Sequence, residues 1–439
     1  MQSKNHHRCV LYTLLAVYTF NIVDRQILAL LMEPIKQDLQ LSDTALGFMS
    51  GIAFALFYAT LGIPIARLAD RSHRVNIIAI SLALWSGMTV LTGLVSNFWQ
   101  LLIARIGVGV GEAGCTPPAH SLIADYFVKT ERNRAISIYM MGPPIGIMIG
   151  FFVAGWLNEL YGWRIAFISL GLPGLIMAVV VKLAVREPAR EQSSASSANR
   201  QKQYSTLETF LCLWRKRAFR RLVIALALIN FVGVGSGQWV PSFFIRNHGM
   251  STGELGMWLS VMTGLSGIIG IYIGNYITQR YARDNESLKL RILAIGTLLM
   301  LVTVPLYLFS SHKYSALMLY GLTTLLFFLH YGPCYSMVLN LAQPRMRAMA
   351  SAVTLLIVNL IGMGLGPQAV GIMADLLVPV FGDDALQWAL LFTTAITPLA
   401  VWLLWSTGKT AQEDLDESYT DDNDAKVTTP TGAQSAATL

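Results

Sequence analysis

The sequence RIGVGVGE, Arg105 to Glu112, lies inside an apolar run that extends from Phe98 to Phe127. A charged side chain in the middle of a bilayer costs at least about 2.5 to 3.5 kcal/mol, so two of them in one apolar run indicate a functional site. On a helix, the seven-residue spacing puts Arg105 and Glu112 on one face, about 10 Å apart, with Gly109 between them. The stretch therefore predicts a membrane helix with one charged face.

A second charged pair, Asp24 and Arg25, lies in the apolar run from Cys9 to Met32. Asn21 precedes the pair by one helical turn and can share a face with either residue. In a hydrocarbon core of about 30 Å, Asp24 falls at nearly the same depth as the arginine of the first stretch. Glu112, which follows that arginine by two helical turns, then lies within reach of the Arg25 side chain. We expect the two runs to face each other across a wet cavity; the alternative is a static clamp that holds the first helix to a neighbour.

The composition indicates the protein class. Hydrophobic residues make up 54% of the 439 residues and charged residues 13%, against about 25% charged residues in a soluble domain. Runs of about 18 or more mostly apolar residues are candidate transmembrane helices. There are twelve: 9–32, 44–66, 75–95, 98–123, 134–157, 163–185, 221–245, 254–277, 289–310, 314–340, 348–376 and 385–406. We predict an all-α integral membrane protein with twelve transmembrane helices.

The placement of basic residues predicts the orientation. If the N-terminus is cytoplasmic, the segments on that side carry 26 of the 32 Lys and Arg residues. The opposite loops carry four: Lys36, Arg164, Arg246 and Lys313. By the positive-inside rule both termini are cytoplasmic, in a multi-pass protein of the cell inner membrane or plasma membrane. The net charge of +7 is thus a topology signal, and we expect no nucleic-acid partner.

The chain divides into two halves at a polar segment. We expect a bundle of six helices over 1–185, a cytoplasmic linker with an amphipathic helix over 186–220, a second six-helix bundle over 221–407 and a disordered acidic tail over 408–439. SDTALG, which begins at Ser42, recurs as STGELG, which begins at Ser251. This repeat predicts that the two bundles are pseudo-symmetric.

The second half does not repeat the charges of the first. In the repeat, Asp24 and Arg25 align with Gly233 and Val234. The polar and aromatic residues that we expect on the cavity wall of this half are Gln238, Trp239, His330, Tyr331 and Asn359. The charged groups are therefore N-terminal, and the C-terminal half is suited to a neutral or apolar part of a cargo. The four cysteines are scattered and no histidine cluster has ligand spacing, so we expect neither a metal nor a cofactor.

Several motifs resemble those of the major facilitator superfamily. ARLADRSHR, from Ala66 to Arg74, resembles the superfamily's loop 2–3 signature, although Ala66 and His73 stand where glycines are usual. The fourth apolar run, 98–123, matches the pattern R-x-x-x-G-x-G at Arg105, Gly109 and Gly111. GPPIG, which begins at Gly142, partly matches a motif associated with antiporters. The alternative for these glycines is close helix packing. The resemblance implies a cytoplasmic gate made by these residues: Asp70, Arg71, Arg74 and Arg134.

Five stretches together resemble the Spinster family of lysolipid and sphingolipid transporters: FNIVDR, LADR, RIGVGVGEA, GPPIG and RAMASAVTLLIVNLIGMGLGP, which begins at Arg347. This implies a coupling site of Asp24, Arg25, Arg105 and Glu112, with a proton as the coupling ion and an amphipathic, phosphate-bearing cargo. We expect Glu112 to exchange the proton and Asp24 to position it. The partners expected are this small substrate, protons and the bilayer, around a monomer.

Two alternatives to that function remain. One is a multidrug/proton antiporter of the same fold, whose cationic cargo would need an accessible carboxylate in an aromatic cavity. The other is a non-transporting membrane protein such as a lipid sensor. We do not expect an enzyme, because neither a nucleophile–base pair nor a metal constellation is present in the sequence.

Overall fold

The computed structural model describes residues 4–188, 206–283, 285–343 and 346–411, and every regular element in these ranges is helical. The Ser-rich part of the predicted linker, 189–205, lies outside the described residues. So does the predicted tail from residue 412 onward. Residues 408–411, which we also assigned to that tail, instead continue the last helix.

The N-terminal half consists of helices that follow the first six apolar runs. They are α1 (Lys4–Leu39), α2 (Asp43–Phe48), a π-helical turn (Met49–Ala53), α3 (Phe54–Arg71), α4 (Arg74–Thr92), α5 (Phe98–Glu112), α6 (Thr116–Tyr126), α7 (Lys129–Tyr139), α8 (Gly142–Tyr161) and α9 (Trp163–Ala184). Two of them, α2 and α5, begin at side-chain caps that the sequence encodes. Ser42 accepts a hydrogen bond from the backbone N–H of Ala45, for example, which satisfies a free donor in the first turn of α2.

A short helix, α10 (Thr206–Arg215), precedes the C-terminal half. The half itself contains α11 (Arg217–His248), α12 (Thr252–Tyr281), α13 (Glu286–Leu308), α14 (Lys313–Phe328), α15 (Tyr331–Asn340), α16 (Arg347–Val358), a π-helical stretch (Asn359–Leu365), α17 (Gly366–Phe381), α18 (Ala385–Thr393) and α19 (397–411). Ser251 caps α12 as Ser42 caps α2, in keeping with the sequence repeat.

Ten helical stretches in the described residues are long and apolar enough to cross a membrane. The difference from the twelve predicted runs has two sources. The fourth run is divided by a turn at 113–115, just before Pro117 and Pro118, into helices of 15 and 11 residues. The last two runs form one stretch, Met349–Ala411, that counts once. The helices still follow all twelve runs.

Glycines bring helices α4 and α5 into close contact. A Cβ atom at Gly111 would lie 2.7 Å from the backbone nitrogen of Trp85, and one at Gly107 would lie 2.7 Å from Cγ of Met88. Only glycine fits at these positions without displacing its neighbours. Close helix packing is the alternative that we stated for the glycines of the fourth apolar run. It accounts for these two glycines of α5.

The two halves are in tight contact at the end of the bundle away from the first residues of α1, which we call the closed end. A Cβ at Gly155 of α8 would lie 2.4 Å from the carbonyl oxygen of Thr252, and one at Gly256 of α12 would lie 2.3 Å from that of Phe151. At the opposite, open end a cavity of about 590 Å³ separates α3 and α6 from α16. Phe210 of α10 forms part of its wall.

The replacement Gly256→Val should destabilise the closed end, because its Cβ has no room beside the backbone of α8. Overpacking of this kind costs about 1–3 kcal/mol. We expect a lower thermal midpoint of the detergent-solubilised protein, measured by intrinsic fluorescence. Gly87→Val is the matched control, since a Cβ at Gly87 meets only Cδ2 of Leu175, at 4.0 Å. Equal midpoints for the two variants would contradict the packing argument.

Candidate functional site

The charged residues of α1 and α5 meet inside the N-terminal half. Arg25 donates from Nε to Oε2 of Glu112 at 2.7 Å, and its Nη2 lies 2.7 Å from the same oxygen. The glutamate side chain is fully buried. The two runs thus face each other, and Arg25 reaches Glu112 as the depth comparison predicted. Buried and unpaired, either charge would be far more costly than the pair.

Asp24 turns to a different neighbour from Arg25. Thr89 of α4 donates its hydroxyl hydrogen to Oδ1 of Asp24 at 2.6 Å, while Oδ2 is buried with no hydrogen-bond partner among the described residues. Adjacent residues on α1 therefore contact α4 and α5. This arrangement is what both a coupling site and a static clamp require, so the distinction between them depends on transport measurements.

Among the four charged residues of α1 and α5 at this site, Arg105 has donors without a partner in the described residues. It is 2% exposed, and its Nε and Nη1 have no hydrogen-bond partner among the described residues. Its Cζ lies 5.7 Å from the centroid of the Phe54 ring. The position of that ring depends on Gly109, where a Cβ would lie 3.1 Å from the Phe54 carbonyl oxygen. A buried guanidinium with open donors is a natural receptor for an anion.

Aromatic rings complete the surroundings of Arg25. Its Cζ lies 5.2 Å from the Phe54 ring centroid and 5.0 Å from that of Tyr58. Its Nη1 also reaches Sδ of Met363, at 4.0 Å, in the C-terminal half. These partners and Thr89 could not be predicted from the sequence, because the pattern of an apolar run does not indicate which helix its apolar and hydroxyl side chains face.

Further polar atoms of the site have no partner among the described residues. They are Nδ2 of Asn21 and Oε1 of Glu112. An unsatisfied polar atom in a membrane interior costs free energy unless water or a ligand reaches it. The site thus offers both donors and acceptors to a bound molecule or proton.

The predicted cavity residues of the C-terminal half separate into two groups. Asn359 lines the open-end cavity, and Gln238 lines a second cavity described below. Trp239 instead packs in a buried cluster and donates from Nε1 to the carbonyl oxygen of Pro367 at 2.9 Å. His330 packs against Phe327, with ring centroids 5.3 Å apart, and the Tyr331 hydroxyl donates to Oδ1 of Asn230 at 3.2 Å. None of these last three lines either cavity.

The side chains of two of the four predicted gate residues, Arg74 and Arg134, lie in the described part of the structure. Arg74 is 3% exposed and donates to Ser121 of the N-terminal half at 2.8 Å and to Glu187, at the start of the predicted linker, at 2.7 Å. Arg134 is exposed on α7. The side chains of Asp70 and Arg71 lie outside the described part of the structure.

An ionic cluster that we did not predict joins the halves at the closed end. Arg246 of α11 donates from Nε to Glu33 at 2.7 Å and from Nη2 to Asp43 at 2.7 Å, both in the N-terminal half. Lys36 also pairs with Asp43, at 2.8 Å. From α17, the carboxylate of Asp375 accepts from the backbone N–H groups of Asp43 and Thr44 at 3.1 and 2.7 Å. The sequence feature that pointed to this cluster is the position of two acidic residues: Glu33 directly follows the first predicted run, and Asp43 directly precedes the second.

Comparison with known proteins places these features in a family. Residues 14–367 match the Major Facilitator Superfamily. The chain belongs to this superfamily. An MFS-type efflux pump of Mycolicibacterium smegmatis is 34% identical over 383 residues, which cover 87% of this chain and 88% of the pump. Protein spinster homolog 1 of Xenopus tropicalis is 25% identical over 394 residues, which cover 85% of this chain and 74% of that protein.

A solved structure is also similar over nearly the whole chain. It is the crystal structure of a bacterial homologue of the human lysosomal transporter Spinster, in an inward-facing and unoccupied conformation. Its TM-score is 0.84 at 27% identity, with 94% of this chain and 99% of that chain covered. The resemblance to Spinster proteins drawn from the motifs is confirmed, and the protein is a multi-pass membrane transporter of small molecules and not an enzyme.

Arg246→Ala should weaken the closed end, because it removes the cation that pairs with Glu33 and one of the two cations that pair with Asp43. Removal of one member of a buried ion pair costs about 3–5 kcal/mol, and we expect less here because Arg246 is partly exposed. The expected result is a fall in thermal midpoint, with Arg246→Lys intermediate. Arg280→Ala, on the exposed end of α12, serves as the control. A midpoint equal to that control would show that the cluster does not hold the halves together.

Proposed function

We propose that this protein is a proton-coupled transporter of an amphipathic, lipid-like anion of the lysophospholipid or sphingoid-phosphate type, and that it works as a monomer by alternating access. The observation that carries the proposal is Arg105, buried beside an ion pair with two donors unused. An arginine presents its donors in a fixed plane that matches a phosphate. The apolar walls of the neighbouring cavities suit the rest of such a molecule.

The Arg25–Glu112 pair offers a way to couple a proton to that anion. Both contacts from Arg25 go to Oε2, which leaves Oε1 of Glu112 buried and unpartnered. A proton that binds Oε1 would neutralise the carboxylate and weaken its hold on Arg25. Arg25 could then join Arg105 at a doubly charged phosphate. In this scheme Glu112 exchanges the proton, while Asp24, held by Thr89, acts as the positioner of Glu112.

The two ends of the bundle support alternating access. The closed end is held by Arg246 and Asp375 across the halves, and the open end has its cavity. The positive-inside distribution makes the open end cytoplasmic, with both termini on that side, in a cell inner or plasma membrane. Substrate and proton would shift the balance between this conformation and one that opens to the other side.

Proton coupling is tested with Glu112→Gln and Asp24→Asn, reconstituted in liposomes under an imposed pH gradient. We expect Glu112→Gln to abolish gradient-driven transport of a lysophospholipid while exchange at equal pH persists, because the amide cannot bind and release the proton. Asp24→Asn should slow both modes. Glu254→Gln is the matched control, since Glu254 pairs with Lys313 at the closed end. Unchanged gradient-driven transport in both site variants would end the coupling proposal, and a static clamp would account for the charges.

The anion site is tested with Arg105→Gln and Arg105→Lys. We expect the glutamine variant to bind a long-chain alkyl phosphate at least about tenfold more weakly, a loss of about 1.4 kcal/mol. Lysine should be intermediate because it keeps the charge but not the planar set of donors. The measurement is calorimetric titration in detergent. Equal affinity in all three proteins would place the anion elsewhere.

A second candidate is a multidrug/proton antiporter, favoured by the 34% identity to a protein named as an MFS-type efflux pump. A cationic drug would bind the carboxylate of Glu112 and not Arg105. Competition between lysophospholipids and dye cations in the same liposomes separates the two. A non-transporting lipid sensor would accumulate neither.

A further inference from the structure

A second cavity, of about 170 Å³, lies between α1 and α8 of the N-terminal half and helices α11 to α14 of the C-terminal half. We call it the aromatic pocket and define it by six of its lining residues: Gln26, Gln238, Tyr307, Tyr320, Phe327 and Phe328. It is distinct from the open-end cavity, with which it shares no lining residue. The charge scheme proposed above makes no use of it.

Helix α1 forms a wall of both the charged site and the aromatic pocket. Arg25 points to Glu112 and Met363, whereas the next residue, Gln26, lines the pocket. No residue on the described wall of the pocket is Asp, Glu, Lys or Arg. A bound molecule can therefore place only an uncharged part in the pocket, since a charged group would have no counter-ion there.

The volume of the pocket, about 170 Å³, is that of a site for one ring. A cavity of about 150 Å³ lined by apolar side chains is known to bind benzene, and this one is slightly larger. Its aromatic side chains already pack edge to face: Tyr307 and Tyr320 have ring centroids 5.7 Å apart at 74°, and Phe327 and Phe328 5.1 Å apart at 73°. A guest ring would gain the same geometry, which is more favourable than burial of alkyl area alone.

The pocket also contains polar atoms without partners. Oε1 of Gln238 and Oγ of Ser236 are buried and make no hydrogen bond to any described residue. Both residues line the cavity. A plain alkyl chain would leave these atoms unpaired and shut out water, which costs free energy at each atom. A guest that donates a hydrogen bond to one of these atoms removes the cost at that atom.

We propose that the aromatic pocket binds a six-membered aromatic ring that carries a neutral hydrogen-bond donor, such as a phenolic hydroxyl, at the end of the cargo remote from its anionic group. The proposal rests on the proposed function only for the anionic end. It narrows the cargo from any single-chain lipid anion to one with an aromatic, hydroxylated terminus.

The test compares two synthetic anions of equal length, an alkyl phosphate that ends in a 4-hydroxyphenyl ring and the plain n-alkyl phosphate. We expect the ring compound to bind at least tenfold more tightly in calorimetric titrations of the full-length protein. Gly237→Val should remove this preference, so that the variant binds the two phosphates with equal affinity. Gly237 lines the pocket, and a Cβ there meets no atom within 4 Å, so the side chain enters open space.

Two controls complete the experiment. Gly87→Val makes the same change in mid-helix, away from the pocket, and should keep the preference. Gln238→Leu keeps the volume but removes the acceptor, and should bind the hydroxyphenyl compound no more tightly than a phenyl analogue without the hydroxyl. Thermal midpoints of all variants confirm that they fold.

The outcomes separate this proposal from the proposed function. Equal affinity for the two phosphates, or a preference that survives Gly237→Val, would overturn the aromatic pocket as a ring site and leave the anion transporter intact. If neither phosphate binds, but 4-ethylphenol alone raises the thermal midpoint of the wild type and not of Gly237→Val, the pocket is supported and the anion proposal fails. No shift with any of these probes would reject the pocket.

Discussion

The contact between Arg25 and Glu112 is the constraint on which the N-terminal half depends. Two opposite charges on different helices meet inside this half, where the Glu112 side chain is fully buried, and neither is stable there without the other. Helices α1 and α5 are therefore held in one register and one orientation. Once they are, Asp24 must face α4 and Thr89, and Arg105 must point into the space that Phe54 borders. One ion pair thus places the other charged groups of the site.

The closed end follows a different principle from the site. There, glycines bring backbones together, and the polar groups that remain are satisfied across the halves by Arg246 and Asp375. Glu159 of the N-terminal half also makes a contact across the halves: its carboxylate accepts from the backbone N–H of Gly253, in the C-terminal half, at 2.7 Å. In the sequence repeat Gly253 matches Thr44, one of the two donors to Asp375. Each half thus uses a carboxylate to cap the first turn of a helix in the other.

The sequence predicted the fold and much of the charged site for physical reasons that the structure makes clear. The length of an apolar run and the cost of a charge inside it depend on solvation, which acts on each segment separately. The twelve runs could therefore be predicted from composition, and the contact between Arg25 and Glu112 from their depths. The unpaired donors of Arg105 depend on which way each side chain turns, and no periodicity encodes that. Trp239 and His330 show the limit, because a buried aromatic at helical spacing fits a core contact as well as a cavity wall.

The closed-end cluster escaped prediction for another reason. Glu33, Asp43 and Arg246 lie near the ends of separate apolar runs, where charges are ordinary at a membrane surface. Their pairing exists only while the two halves are closed on that side, so it is a property of one conformation. The sequence of an alternating-access transporter must support more than one conformation. No local sequence pattern identifies the residues that pair in one of these conformations.

The two halves contribute unequal chemistry to the interior, and helix α1 connects them. The N-terminal half holds the ion pair and the free arginine, while the described walls of the aromatic pocket are uncharged. Because Arg25 and Gln26 are consecutive on a rigid helix, any shift of α1 that follows release of Arg25 from Glu112 also moves a wall of the pocket. In the proposed cycle, the proton therefore acts on both ends of a bound amphipath through one helix. No separate relay between the halves is needed for the charge and the pocket to respond together.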